Sequence, residues 1–276
     1  MSVFELFPSP VQKTDGLFAQ VVERVAVAIV SGLYKSGDII PTLEDLNAEM
    51  SVSRTAYREA IKYLSSKGLI EARPKVGTRV APRATWNLLD PEILRWSLSG
   101  QASGQFVRDL FELRRVIEPS AARLAALRRT PEQLAAIQRA LDGMTTLGAY
   151  TEGNFRADLA FHEAILDATN NSALSCLKSV VRTTVLWSLR LNTGRKTAAD
   201  FVKPLADHTR VYEAIAARDG EQAAAFMTVV VVDAVEETLE NIATQRDPKA
   251  ARTERATLKP APVVPLPIGR PKTTKK

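Results

Sequence analysis

The sequence predicts a mainly α-helical protein in two folded parts, an N-terminal winged helix-turn-helix and a C-terminal all-α antiparallel helical bundle. Three observations predict it. Residues 11–84 run in the order helix, short helix, turn, helix and two short strand-like stretches. Residues 104–245 keep a helical period nearly throughout, with breaks at Pro131, Gly148–Gly153, Asn170-Asn171, Gly194 and Gly220. The 276 residues suffice for two domains, and 45% hydrophobic with 25% charged residues can bury a core in each.

Leu17, Val21, Val25 and Ile29 recur every four residues with Phe18 and Val22 beside them, which is one apolar helix face ended by Ser31-Gly32. After Gly37 and Pro41 a short helix is expected from Leu43 to Met50. Ser51-Val52-Ser53 then turns the chain, Ser53 caps a longer helix through Ser66, and Gly68 ends it. Leu69–Ala72 and Thr78–Ala81 read as strands around Pro74–Gly77. Residues 85–103 link the two parts. Within them Asp90-Pro91-Glu92 places a cap before a proline at the first helical position, and Ile93, Leu94, Trp96 and Leu98 make that helix apolar. Further helices are expected near 104–128, 131–148, 152–169, 172–193, 200–218 and 220–244, with Pro119 kinking or restarting the first.

Residues 246–276 hold six of the fifteen prolines and nine Lys/Arg against two acids, so a disordered basic tail is expected. The net charge of +6 is therefore a property of the tail, since the remainder carries −1. Gly269-Arg270-Pro271 resembles the core of an AT-hook, although a solvated tail explains the same residues. Runs such as Val229-Val230-Val231-Val232 fall far short of the ~20 residues that span a bilayer, so no membrane partner is expected. MSVFELFPSP lacks the basic stretch and apolar run of a secretory signal. The single cysteine, Cys176, cannot form an internal disulfide and is expected to be buried in an apolar helical pattern. A cytoplasmic location fits.

Function is first suggested by Ser53-Arg54-Thr55-Ala56-Tyr57-Arg58-Glu59, the start of the second helix of the helix-turn-helix. That position enters the major groove of DNA, and arginine bonds guanine O6 and N7 together. Arg54 and Arg58 share a face, and Thr55 can meet a phosphate or a thymine methyl. Spacing alone equally allows an exposed helix with solvated charges. The pieces Ile40-Pro41-Thr42, Ser51–Thr55, Tyr57–Ala60, Leu64 with Gly68–Ile70, and Gly77–Val80 resemble together, in order, the signature of the GntR family over residues 13–82. The resemblance implies operator reading by Arg54, Thr55 and Arg58, with wing contacts at Lys75 and Gly77. Two positions depart from it. Glu44 stands where an arginine usually contacts DNA, and Lys75, suited to phosphate, replaces a wing-tip glycine.

The second part contains the only two histidines, His162 and His208. Asp158 and His162 are four apart and share a helix face, so with His208 from another helix they can chelate one divalent ion inside a bundle. The same pair also suits a surface hydrogen bond. Arg114, Glu118-Pro119, Ala121-Ala122, Asp158, Phe161-His162, Asn171, His208 and Ile215 resemble in order the FCD sensor domain of the FadR-type branch. The resemblance implies a divalent metal ion on Asp158, His162 and His208, with zinc favoured among several candidates. It also implies a bound carboxylate metabolite that completes the coordination. Val230 stands where many such domains have a fourth ligand, three residues after Met227.

By the same resemblance Arg114 pairs with the effector carboxylate, Glu118 bonds its hydroxyls or holds Arg114, and Asn171 lies near the metal. An internal Arg–Glu pair and an ordinary helix cap explain these residues as well. Arg182, Trp187 and Arg190 are further candidate walls. Val80–Pro91 with Trp96 resembles the linker of galactonate-operon repressors, which implies a sugar-acid effector such as an aldonate. Docking of the two domains explains Trp86 and Trp96 equally. Three metal ligands with an open position also describe catalytic zinc sites, but no general base or nucleophile motif accompanies them. The expected protein is thus a DNA-binding regulator, not an enzyme. It is expected to act as a homodimer on a near-palindromic operator, with repression relieved by the acid.

Overall fold

The computed structural model describes residues 16–47, 50–73, 77–99, 104–149, 151–192 and 201–245. Lys75, the break expected at Gly194, and the basic tail over 246–276 lie outside them. In the N-terminal part, α1 (Leu17–Val30), α2 (Leu43–Asn47) and α3 (Arg54–Ser66) precede β1 (Ile70–Arg73) and β2 (Gly77–Val80). The strands pair antiparallel, from Ile70 against Val80 to Arg73 against Gly77. This is a helix-turn-helix followed by its wing.

The apolar face of α1 (Val21, Val25 and Ile29) closes over Leu46, Ala60, Leu64 and Leu69. Ser53 caps α3 as expected, its Oγ accepting from the Ala56 amide at 3.1 Å. Tyr57 donates to the Pro41 carbonyl at 3.0 Å and ties α3 to the loop before α2. Gly68 turns the chain at φ +76, where a Cβ would sit 2.1 Å from the Thr85 carbonyl oxygen. Only glycine fits both constraints.

The linker helix α4 (Pro91–Ser99) serves two cores. Ile93 and Trp96 complete the core of the N-terminal part. Leu94 packs with Phe106, Leu110 and Val180, and Leu98 enters the main core of the bundle. Asp90 caps α4 by accepting from the Glu92 amide at 2.9 Å. Polar bonds fix the helix to the N-terminal part. Lys67 lies 2.8 Å from both Asp90 and Glu92, and Tyr63 donates to Glu92. Glu23 accepts from the Trp96 indole at 2.9 Å and pairs with Arg95.

The C-terminal part comprises α5 (Gly104–Arg128), α6 (Pro131–Thr146), α7 (Glu152–Ala168), α8 (Ser172–Ser175), α9 (Lys178–Asn192), α10 (Val202–Ala216) and α11 (Gly220–Gln245). It is a bundle in which α5 lies along α11, α6 along α7, and α10 against α11. Thr130 forms a capping box with Gln133 before Pro131, and Gly148 at φ +80 turns the chain into α7.

Of the kink or restart expected at Pro119, the restart does not occur, since α5 runs unbroken through it. Two expectations are corrected. The single helix expected over 172–193 is two, because the Leu177 and Val180 amides bond carbonyls only three residues back. Cys176 is exposed, since it falls in that turn and not on an apolar face.

Candidate functional site

Arg54, Thr55 and Arg58 occupy the first turns of α3 and are all exposed. The helix rests on Ala60 and Leu64, so its opposite face points outward. Gly77 begins β2 at φ +94 and is exposed. Glu44 and Asp45 lie exposed in α2, where Thr42 and Asp45 cap one another. An acidic spot therefore lies beside α3, where Glu44 departs from the arginine of the family pattern.

Inside the bundle a cavity of about 140 Å³ opens among α5, α6, α7, α9, α10 and α11. Its wall brings together Arg114, Asp158, His162 and His208. Arg114 and both histidines are buried. On α7 the four-residue spacing sets Asp158 Oδ1 and His162 Nε2 3.6 Å apart. From α10, His208 Nε2 comes within 3.1 Å of the same oxygen.

Both imidazoles are oriented from behind. Nδ1 of His208 donates to the Pro204 carbonyl at 2.7 Å, because a carbonyl only accepts. Nδ1 of His162 lies 2.5 Å from Glu118 Oε2, off the line of a hydrogen bond. Nε2 of each ring is thereby turned toward Asp158, the arrangement in which imidazoles ligate metal. Glu118 also pairs with Arg114, and Arg114 Nη2 lies 3.1 Å from His162 Nε2.

The electrostatics follow from these contacts. Burial opposes charge on Asp158, yet His162 and His208 hold its carboxyl well below the usual carboxylate range. Burial likewise opposes charge on Glu118, and Arg114 with His162 keeps it low. Burial works against a charged His162, but the Glu118 carboxylate outweighs it, and the pKa is pushed up to about 9.

Asp158, His162 and His208 offer one ligand atom each, all within 4.8 Å of one another. Nε2 of His208 is buried with no hydrogen bond. Two imidazoles, one of them with an orphaned ring nitrogen, and one carboxylate fit a divalent transition-metal ion. Val230 lines the cavity and supplies no ligand atom.

Asn171 does not reach this group. Its Oδ1 accepts from the Ala173 and Leu174 amides as the cap of α8, which uses the side chain. Arg182 pairs with Glu163 at 2.5 Å, and Trp187 is buried in the bundle core, so neither lines the cavity. The side chain of Arg190 lies outside the described residues. Sequence reasoning missed Asn154, Ser188, Asp207 and Asp233, all of which line the cavity. Asp207 precedes His208 directly, and that adjacency was the only available signal.

Comparison with known proteins agrees with both halves. The gntR family of bacterial regulatory proteins matches residues 17–80, and the FCD domain matches residues 109–233. The Galactonate operon transcriptional repressor of Escherichia coli is 33% identical over 211 residues, covering 76% of this chain and 90% of that protein. The transcriptional regulator LutR of Bacillus subtilis is 33% identical, covering 72% and 90%. Among solved structures, that of Lar, which controls expression of the Listeria monocytogenes agr system, superposes with a TM-score of 0.57. It is 16% identical and covers 83% of this chain and 99% of that one, a likeness of fold alone. The helix-turn-helix with its wing, the all-helical second domain and these relatives make the chain a DNA-binding transcription regulator of the GntR family with a C-terminal FCD domain.

Proposed function

We propose that this regulator represses an operon for sugar-acid catabolism in the cytoplasm and leaves its operator when the acid, an aldonate, enters the FCD cavity. One observation carries the reading. Asp158, His162 and His208 converge with the buried guanidinium of Arg114 in one cavity, in a chain one third identical to a galactonate operon repressor. Asp158, His162 and His208 would hold a divalent ion, zinc first among the candidates. Such an ion supplies positive charge and open coordination positions for a carboxylate and its neighbouring hydroxyl.

Arg114 adds a charged donor for the same carboxylate, and Glu118 positions both Arg114 and His162. At the DNA, Arg54 and Arg58 read base edges and Thr55 and Lys75 take phosphate, with Gly77 shaping the wing. Two copies bind a near-palindromic site, since paired recognition helices mirror its two-fold symmetry.

The test is a gel shift on DNA from upstream of the protein's own gene, with and without a panel of aldonates and shorter hydroxy acids. A specific shift lost with one aldonate supports the reading and names the effector. A specific shift that only a non-sugar acid relieves keeps the regulator and removes the sugar acid.

A further inference from the structure

Two carboxylates outside the metal-ligand set line the cavity, Asp207 on α10 and Asp233 on α11. Asp207 is nearly buried, and Asp233 lies half exposed at the rim. Lys203 pairs with both, 3.2 Å from Asp207, and Arg210 approaches Asp207 at 3.4 Å. Neither cation is part of the cavity wall, whereas both carboxylates are. A ligand reaching this side meets acceptor oxygens, with the compensating charges behind them.

An ionised carboxylate only accepts hydrogen bonds, so whatever lies against Asp207 and Asp233 must donate. The cavity is thus chemically two-sided. Arg114 and the histidines receive an anion, and the α10–α11 wall receives hydroxyls.

Resting on the sugar-acid reading above, we propose that Asp207 and Asp233 are specificity-determining residues that accept hydrogen bonds from the chain hydroxyls of the acid. The effector is then a polyhydroxy monocarboxylate. A dicarboxylate of the same length puts a second anion against Asp207 and Asp233 in place of the donor hydroxyl, a like-charge contact that the site rejects. Lactate fails for another reason. Its one hydroxyl lies beside its own carboxylate, and nothing remains for the α10–α11 wall.

The experiment is calorimetric titration of the zinc-loaded full chain with matched pairs, galactonate against galactarate and gluconate against glucarate. Within each pair only the terminal CH₂OH or carboxylate differs. The wild type should bind one aldonate at least about tenfold tighter than its aldarate. Asp233→Asn, chosen because the rim position tolerates an isosteric change, should weaken the aldonate, strengthen the aldarate and shrink the ratio about fivefold or more.

An aldonate that binds with a ratio unchanged by Asp233→Asn overturns this inference alone. So does an aldarate that binds the wild type more tightly, since Lys203 is then the group being read. If a short hydroxy acid binds and no six-carbon acid does, the sugar-acid reading falls and takes this inference with it.

Discussion

Glu118 shows how much of a site can rest on one buried side chain. It faces Nδ1 of His162 with one oxygen and pairs with Arg114 through the other. Replacing it with glutamine keeps the shape and removes the charge that orients the ring. Glu118→Gln should lower metal affinity by about 10–100-fold, read by competition with a chelating dye. Arg114→Lys keeps the charge but loses the planar fork, so affinity for the acid should fall about tenfold or more by calorimetry. At this scale legibility followed helix spacing. Asp158 with His162, and Arg114 with Glu118, are i,i+4 pairs and could be read along the chain. The meeting of Glu118 with His162 depends on how α5 lies against α7, which no local pattern encodes. For Asn171 the sequence left two readings open, a place near the metal and a helix cap, and the oxygen is taken by the cap of α8.

Helix α4 is the element whose role the sequence described least. Its apolar residues were plain, but their division between two cores was not, because one short helix offers no way to count its neighbours. The α3–α4 latch has a consequence for pH. Burial and the bond to Glu92 push Tyr63 up to about 12, and Asp90 with Glu92 raise Lys67 above the usual lysine range despite its burial. In the unfolded chain both groups lose their protons near about pH 10. Folding therefore binds extra protons above that value, and the stability they contribute, full below it, is lost as pH rises through the folded values. Urea denaturation between about pH 9 and 11.5 should show stability falling with pH, and Lys67→Met should flatten the slope. Gly68→Ala strains a left-handed position and drives a Cβ into the Thr85 carbonyl, so it should cost at least about 2 kcal/mol in the same assay. Caps at Ser53 and Asp90 were legible as local signals. The break between α8 and α9 was not, since its apolar period runs straight through Cys176 and Leu177.

For the whole molecule, the two cores touch through α4, which packs on α1 and on α9, and α9 in turn contributes Val185 and Ser188 to the cavity. An acid in the cavity can influence the operator only by favouring one arrangement of these elements over another. Stripping the metal with a chelator should leave operator affinity within about threefold while abolishing release by the acid, measured by fluorescence anisotropy of labelled DNA. Arg54→Ala should instead cost about 1–3 kcal/mol of operator binding and leave acid affinity unchanged. The two-domain plan was legible because the helical period changes character at the linker. The cavity's acidic wall was not, because Asp207 and Asp233 lie on separate helices and meet only through Lys203. The placement of the three tryptophans gives the chain an optical instrument of its own. Trp96 is sealed in the N-terminal core against the Glu23 carboxylate, Trp86 lies half-buried under Arg83, and Trp187 sits on α9 next to a cavity residue. Emission from Trp187 should respond when the cavity fills, and that from Trp86 when the joint between domains shifts. Single-tryptophan versions would time the two events separately, without any dye.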